Sequence, residues 1–178
     1  MDYSKLKGVI HIGASEGQER DLYNNNSLNV LWIEPIPKIY KKLQENIRNY
    51  KNQTCLNFLV TDKDDQEYEF NISSNNGESS SILELSLHKT IWPTVRYVDT
   101  LKLKSKTLPT IIKENSIDLS KYDSIVLDTQ GSELLILKSS LSVLKNIQYV
   151  CLEVADFESY EGCCTLSEVD EFFNDNGF

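Results

Sequence analysis

Short apolar runs alternate along the chain with stretches in which apolar positions return every three or four residues. The runs are 8–12, 30–33, 56–60, 124–127 and 149–152. Apolar segments of this length, with little alternation, predict strands buried on both faces of a sheet. Between them, Ile39, Leu43 and Ile47 mark a helix from Lys38 with a lysine-rich outer face, and helices are expected over 17–23, 108–114, 133–138 and 166–173. The middle follows another rule: 67–72 and 96–103 alternate with period two, as half-exposed strands do, around a polar loop at 73–81 and a short apolar segment up to His88. Buried strands separated by helices imply an α/β fold with a mostly parallel sheet covered on both faces. Ligands of such sheets bind beyond the carboxyl ends of the strands. The polar residues to inspect are therefore those at 13–18, Glu34, Asp62, 128–133 and 153–161.

Composition narrows the class. At 178 residues with 40% hydrophobic positions, a chain buries roughly 70% of its surface on folding, enough for one core. One domain over 1–178 is the expectation. The net charge of −9 is concentrated in 151–178, which carry acids but no Lys or Arg, so the rest is close to neutral. Without a basic stripe, neither nucleic acid nor an anionic membrane is an expected partner. No apolar run approaches the roughly 20 residues of a membrane span, and no leader pattern opens the chain, which reads as cytoplasmic. Cys55 and Cys151 fall in predicted buried strands, and Cys163-Cys164 are adjacent; no cysteine or histidine spacing suggests a metal.

The candidate chemistry begins with His11-Ile12-Gly13-Ala14-Ser15-Glu16-Gly17-Gln18, a glycine turn between a strand and a helix. It lacks the second glycine of a dinucleotide fingerprint, where Ser15 stands, and Glu16 adds a carboxylate where phosphates would sit. A nucleoside ligand without phosphates and with a cationic group suits it better. Glu34 follows the second strand at the spacing where a carboxylate takes two ribose hydroxyls. Asp62 follows the third, where an acid would accept from an adenine amino group. Together these make S-adenosylmethionine the expected cofactor, with Gly13, Ala14, Ser15, Gly17, Gln18, Glu34 and Asp62 as its binding residues.

These segments, with Trp32-Ile33-Glu34-Pro35-Ile36-Pro37, Ser79-Ser80-Ser81-Ile82-Leu83 and His88, Leu127-Asp128-Thr129-Gln130-Gly131-Ser132-Glu133, Leu152-Glu153-Val154 and Tyr160-Glu161-Gly162, resemble the FkbM-type methyltransferases. The resemblance runs from Val9 to Phe178 and implies a three-layer, Rossmann-like class I methyltransferase sheet acting in O-methyl transfer from S-adenosylmethionine. It also implies a hairpin-like insertion between the third and fourth strands, and an acceptor that is a sugar, glycan precursor or other small metabolite. Two features depart from the pattern. His11 stands where many members carry an acid, and class I folds normally add two strands after the last helix here. The fifth strand is then expected to be a sheet edge open to pairing with a second copy.

Methyl transfer to a hydroxyl needs alignment and a proton acceptor. Asp128, His88 and Glu153 are the expected catalytic residues, with Asp128 the first choice for base. Its competing role is to bind backbone N–H groups of the turn at 131–133. Glu133 is expected in a helix first turn, where an acid suits the dipole, and Tyr160 would line the acceptor pocket. The competing functional class is a non-catalytic, methyltransferase-like module that binds nucleoside or a partner protein. An NAD-type dehydrogenase is disfavoured by Ser15 and Glu16.

Overall fold

A computed structural model describes residues 2–178; Met1, where the expected domain begins, lies outside the described residues. The chain enters the central sheet through β1 (Gly8–Ile12), passes α1 (Arg20–Asn25) to β2 (Asn29–Ile33), and continues through α2 (Pro37–Ile47) to β3 (Gln53–Leu56). A smaller sheet follows, made from β4 (Leu59–Val60), β5 (Glu67–Ser73) and β6 (Tyr97–Lys106), with the short helix α3 (His88–Ile91) in the connection from β5 to β6. The chain then returns through α4 (Leu108–Glu114) to β7 (Ser124–Leu127), passes α5 (Glu133–Ser139) and α6 (Leu141–Leu144) to β8 (Tyr149–Leu152), and ends in α7 (Leu166–Asp175). The central sheet is parallel throughout, in the order β3-β2-β1-β7-β8. This is the α/β, Rossmann-like architecture expected from the sequence.

The period of two along each strand sorts the core into two layers. Ile10, Ile12, Leu31, Ile33, Ile125 and Leu127 face the helices α4 to α7. Val9, Val30 and Trp32 face the other way, against Tyr23 of α1 and Leu43 and Ile47 of α2. Local signals set the helix starts. Pro37 opens α2, where its fixed φ and missing N–H cost nothing. Thr165 and Glu168 close a reciprocal capping box at α7.

The insertion differs in detail from a hairpin. β5 and β6 pair antiparallel, but β4 joins them in parallel with β6. The expected third strand at 56–60 is therefore two strands: β3 ends at Leu56 and Leu59–Val60 leave for the second sheet. Ile36 and Ile39 pack with Leu59 and Phe70, so the insertion is anchored at the start of α2. The expectation of a buried Cys151 is corrected as well. β8 lies at the sheet edge with Val150 and Leu152 turned to the core, leaving Tyr149 and Cys151 exposed.

The strand order reverses between β1 and β7, and there the chain is tightest. Gly13 sits at φ 83°, and a Cβ on it would lie 1.8 Å from the Asp128 carbonyl oxygen. The Asp128 N–H meanwhile donates to Ile12 O at 3.0 Å, so the two strand ends cannot simply separate. Gly13→Ala is expected to destabilise the fold by about 3 kcal/mol, through backbone strain and lost strand pairing. Urea unfolding measures this; a midpoint unchanged from wild type would show that the junction relaxes freely.

Candidate active site

A cavity of about 590 Å³ opens at this strand-order reversal, beyond the carboxyl ends of β1, β2, β7 and β8 and beneath the insertion. Its first wall is the glycine turn. Gly13 and Ala14 N–H groups both donate to Ile33 O, at 3.0 and 3.1 Å, which folds the turn over the end of β2. Ser15 takes a left-handed conformation, φ 46°, and its N–H donates to Glu34 Oε2 at 2.9 Å. Glu34 Oε1 accepts the Ile36 N–H, also at 2.9 Å. Glu34 is almost fully buried with no cation beside it. Burial pushes its pKa up to about 7 against the two backbone bonds, and the Asp128 charge adds to the rise.

Beneath this wall lies His11, stacked on Trp32 with centroids 5.0 Å apart and with Nδ1 3.1 Å from the Tyr23 hydroxyl. Burial holds its pKa at about 4, so it is neutral and belongs to the floor. Gln18 lines the cavity and its Nε2 donates to Ser15 Oγ at 3.3 Å.

Two expected cofactor residues lie elsewhere. Gly17 is outside the lining; its φ of 72° and the nearness of Leu43 Cδ1, 2.7 Å from a built Cβ, make it a packing glycine against α2. Asp62 is also outside, because the chain leaves the central sheet at Leu56 and turns away after Val60. Phe58, Leu59 and Val60 line the cavity in its stead.

The opposite wall comes from β7, β8 and the insertion. Asp128 is open to the cavity, and its Oδ1 accepts Gln130 Nε2 at 2.6 Å. Surrounding protein raises its pKa despite that bond, and the neighbouring Glu153 and Glu78 charges raise it further. The competing role considered for Asp128 belongs to Glu133. The Glu133 carboxylate, 2% exposed, accepts Thr129 N–H at 2.9 Å, Thr129 Oγ1–H at 3.1 Å and Gly131 N–H at 3.0 Å. Glu133 braces the loop and leaves Asp128 free.

Gln130, which sequence reasoning passed over, joins three segments. Its side chain reaches Asp128 and accepts from the Tyr160 hydroxyl, while its carbonyl accepts Ser81 Oγ–H at 2.7 Å. Its left-handed φ of 56°, between Thr129 and Gly131, turns the side chain this way. His88 N–H donates to Ser159 O at 3.1 Å, and its ring packs between Trp92 and Tyr160. The ring lines the cavity at 4% exposure, burial lowers its pKa, and Nδ1 is sealed from water without a partner. Glu153 lines the rim next to Asp128. Among the described residues, no group of three or more His, Cys, Asp or Glu is arranged to hold a metal ion.

The model of the Methyltransferase FkbM domain matches residues 11–178, essentially the whole chain. The chain belongs to this family and is a methyltransferase by membership. No curated protein matches it.

Glu34 makes a pH test of the site. Its pKa is raised on folding from 4.5 to about 7, so the folded state holds the proton more tightly. The stabilisation this gives is full below pH about 4.5 and is lost as pH rises through about 7, on the order of 3 kcal/mol in all. Buried His11 acts in the opposite sense, destabilising as pH falls through 6.5 toward 4. The difference between wild type and Glu34→Gln therefore isolates the carboxylate. The wild-type urea midpoint is expected to fall relative to that of Glu34→Gln as pH rises from 5 to 8, because wild type alone loses the Glu34 contribution; parallel curves would contradict a buried, cation-free carboxylate.

Proposed function

We propose that this member of the FkbM methyltransferase family uses S-adenosylmethionine and methylates a hydroxyl oxygen of a sugar, glycan precursor or other small metabolite. One observation carries the reading. A single cavity has the Gly13–Ser15 turn and Glu34 on one wall, and Asp128, Glu153 and His88 on the other.

The residues present fit the cofactor. Glu34 and Asp128 repel each other from opposite sides of the Gly13 turn, and a ligand carrying positive charge between them relieves that repulsion. Each Glu34 oxygen accepts one backbone N–H and keeps a further acceptor direction for a ribose hydroxyl. Ile36, Phe58 and Leu59 offer an apolar wall for adenine. When bound, the cofactor supplies a methyl carbon that an oxygen takes as the carbon–sulfur bond breaks, the electron pair leaving on sulfur. Asp128 accepts the hydrogen bond of the acceptor hydroxyl and receives its proton, while Gln130 holds the carboxylate in place. Its raised pKa moves it toward the operating pH, where a base is most effective. His88, whose neutral form burial favours, contacts the acceptor.

A second reading, a nucleoside-binding module without turnover, is favoured by one feature: neutral His11 gives the methionine amino group no opposing charge. We place the protein in the cytoplasm, consistent with the absence, among the described residues, of any helix long and apolar enough to cross a membrane. Pairing of two copies along the exposed β8 edge is the assembly we propose.

Two substitutions test the assignment. Glu34→Ala is expected to weaken S-adenosylhomocysteine binding about a hundredfold by calorimetry, the equivalent of about 2.7 kcal/mol. Asp128→Asn is expected to slow methyl transfer by about 10²–10⁴-fold while the dissociation constant of S-adenosylhomocysteine, which lacks the sulfonium charge, changes by no more than about tenfold. Cofactor binding with no turnover on any hydroxyl acceptor, unchanged by Asp128→Asn, would establish the module reading instead.

A further inference from the structure

The side chains of Tyr160, Gln130 and Asp128 form a hydrogen-bonded series that ends on the carboxylate read above as the base. The Tyr160 hydroxyl donates to Gln130 Oε1, and Gln130 Nε2 donates to Asp128 Oδ1 at 2.6 Å. Each residue comes from a different segment: Asp128 from the end of β7, Gln130 from the loop before α5, and Tyr160 from the stretch between β8 and α7. Packing holds that stretch against the loop, since a Cβ on Gly131 would lie 3.3 Å from Tyr160 Cβ. Tyr160 also pairs with Leu85 of the insertion in an antiparallel bridge, and its ring meets that of His88.

An amide can enter such a series in two senses, with its nitrogen or its oxygen toward the acid. Asp128 by itself enforces one sense only while it is ionised, because a carboxylate accepts and cannot donate. Once protonated it has an O–H to give. An amide turned by 180° would accept that O–H and hold the acid in its neutral form. Tyr160 opposes the turn in both states. It is 4% exposed, and burial pushes its pKa above the ordinary phenol range, so its O–H is always present and needs an acceptor. Turning Gln130 would take Oε1 away from that buried O–H. The Nε2 donor is thereby kept on Asp128, and a hydrogen bond to the charged form favours that form.

This matters because the other groups facing Asp128 act in the opposite direction. Glu34 from the end of β2, Glu78 from the insertion and Glu153 from the end of β8 all favour the protonated acid. No lysine or arginine lines the cavity. Among the described residues, Gln130 Nε2 is the one donor to the Asp128 carboxylate. Tyr160 is itself faced by Tyr97, Glu133 and Glu153, besides the His88 ring.

We propose that Tyr160 is a positioning residue for Asp128: by fixing the sense of the Gln130 amide it keeps Oδ1 hydrogen-bonded and leaves Oδ2 to take the proton of the acceptor hydroxyl. The proton then passes from Oδ2 to water, because the amide does not turn to retain it. The role of Asp128 as base rests on the methyl-transfer reading; the series that orients it does not.

The test reads Asp128 in the ligand-free full chain by carbon-13 NMR of its carboxyl group, recognised by its loss in Asp128→Asn. Tyr160→Phe is expected to raise the titration midpoint by about one pH unit, the scale of one hydrogen bond to a charged group. Gln130→Ala is expected to raise it as well. In the Gln130→Ala background, Tyr160→Phe is expected to move it by less than about 0.2, since its effect passes through the amide. The unaltered chain gives a second readout: the Gln130 side-chain N–H signals are expected to shift with the Asp128 midpoint. An unmoved midpoint in Tyr160→Phe, an equal rise in both backgrounds, or Gln130 signals indifferent to Asp128 overturns the proposal. Failure of S-adenosylhomocysteine to bind the same chain would remove the methyl-transfer reading, whereas these titrations test the positioning of Asp128 alone.

Discussion

Two backbone N–H groups, those of Ser15 and Ile36, end on the single carboxylate of Glu34, and the geometry of the cavity hangs from that pair of bonds. They fasten the turn after β1 to the segment after β2, so the first wall of the site is in place before any ligand arrives. The arrangement has a cost. A carboxylate removed from water with only neutral donors keeps a strong preference for its proton, and the Asp128 charge beyond the Gly13 turn makes the preference stronger. A folded site that concentrates negative charge around a glycine turn and supplies no side-chain cation is built to receive one from outside. On the reading proposed above, the sulfonium and amine of S-adenosylmethionine are such a charge.

The second wall depends on how a short loop is held. Glu133 gathers the N–H groups of Thr129 and Gly131, and that bracing forces Gln130 outward in a left-handed conformation. From there Gln130 binds Asp128, Tyr160 and Ser81, which ties the end of β7 to the loop after β8 and to the insertion. The insertion is fixed independently, by the packing of Ile36 and Ile39 against Leu59 and Phe70. His88 is held where these supports meet, between Trp92 and Tyr160. Substitution of Gln130 or Glu133 would therefore act on the acceptor side through position, since each orients other groups.

Much of this was legible in the chain, for physical reasons that also mark where legibility stopped. Strands at 8–12, 124–127 and 149–152 were readable as nearly unbroken apolar runs, and the helix marked by Ile39, Leu43 and Ile47 because its burial is periodic and long enough to leave a pattern. The four-residue helices α3 and α6 are too short for a period to form. The segment 56–60 read as one strand because its apolar residues are nearly continuous; which sheet each half joins is decided by pairing partners distant in sequence. That division carried Asp62 away from the cavity. Gly17 looked like part of a ligand turn and serves α2 packing. Asp128 and Glu133 were both visible as acids in one loop, but which of them would accept the loop's N–H groups is a matter of three-dimensional reach. Gln130 gave one weak signal, an amide side chain directly before a glycine in a tight turn.

The central claim is that one cavity holds a cationic nucleoside against Glu34 with its reactive end toward Asp128. A crystal structure of the protein with S-adenosylhomocysteine tests it most directly. The account predicts both ribose hydroxyls on the Glu34 carboxylate, the adenine against Ile36 and Phe58, and the sulfur facing the space between Asp128 and His88. A nucleoside bound elsewhere, or in this cavity with its ribose away from Glu34, would contradict it.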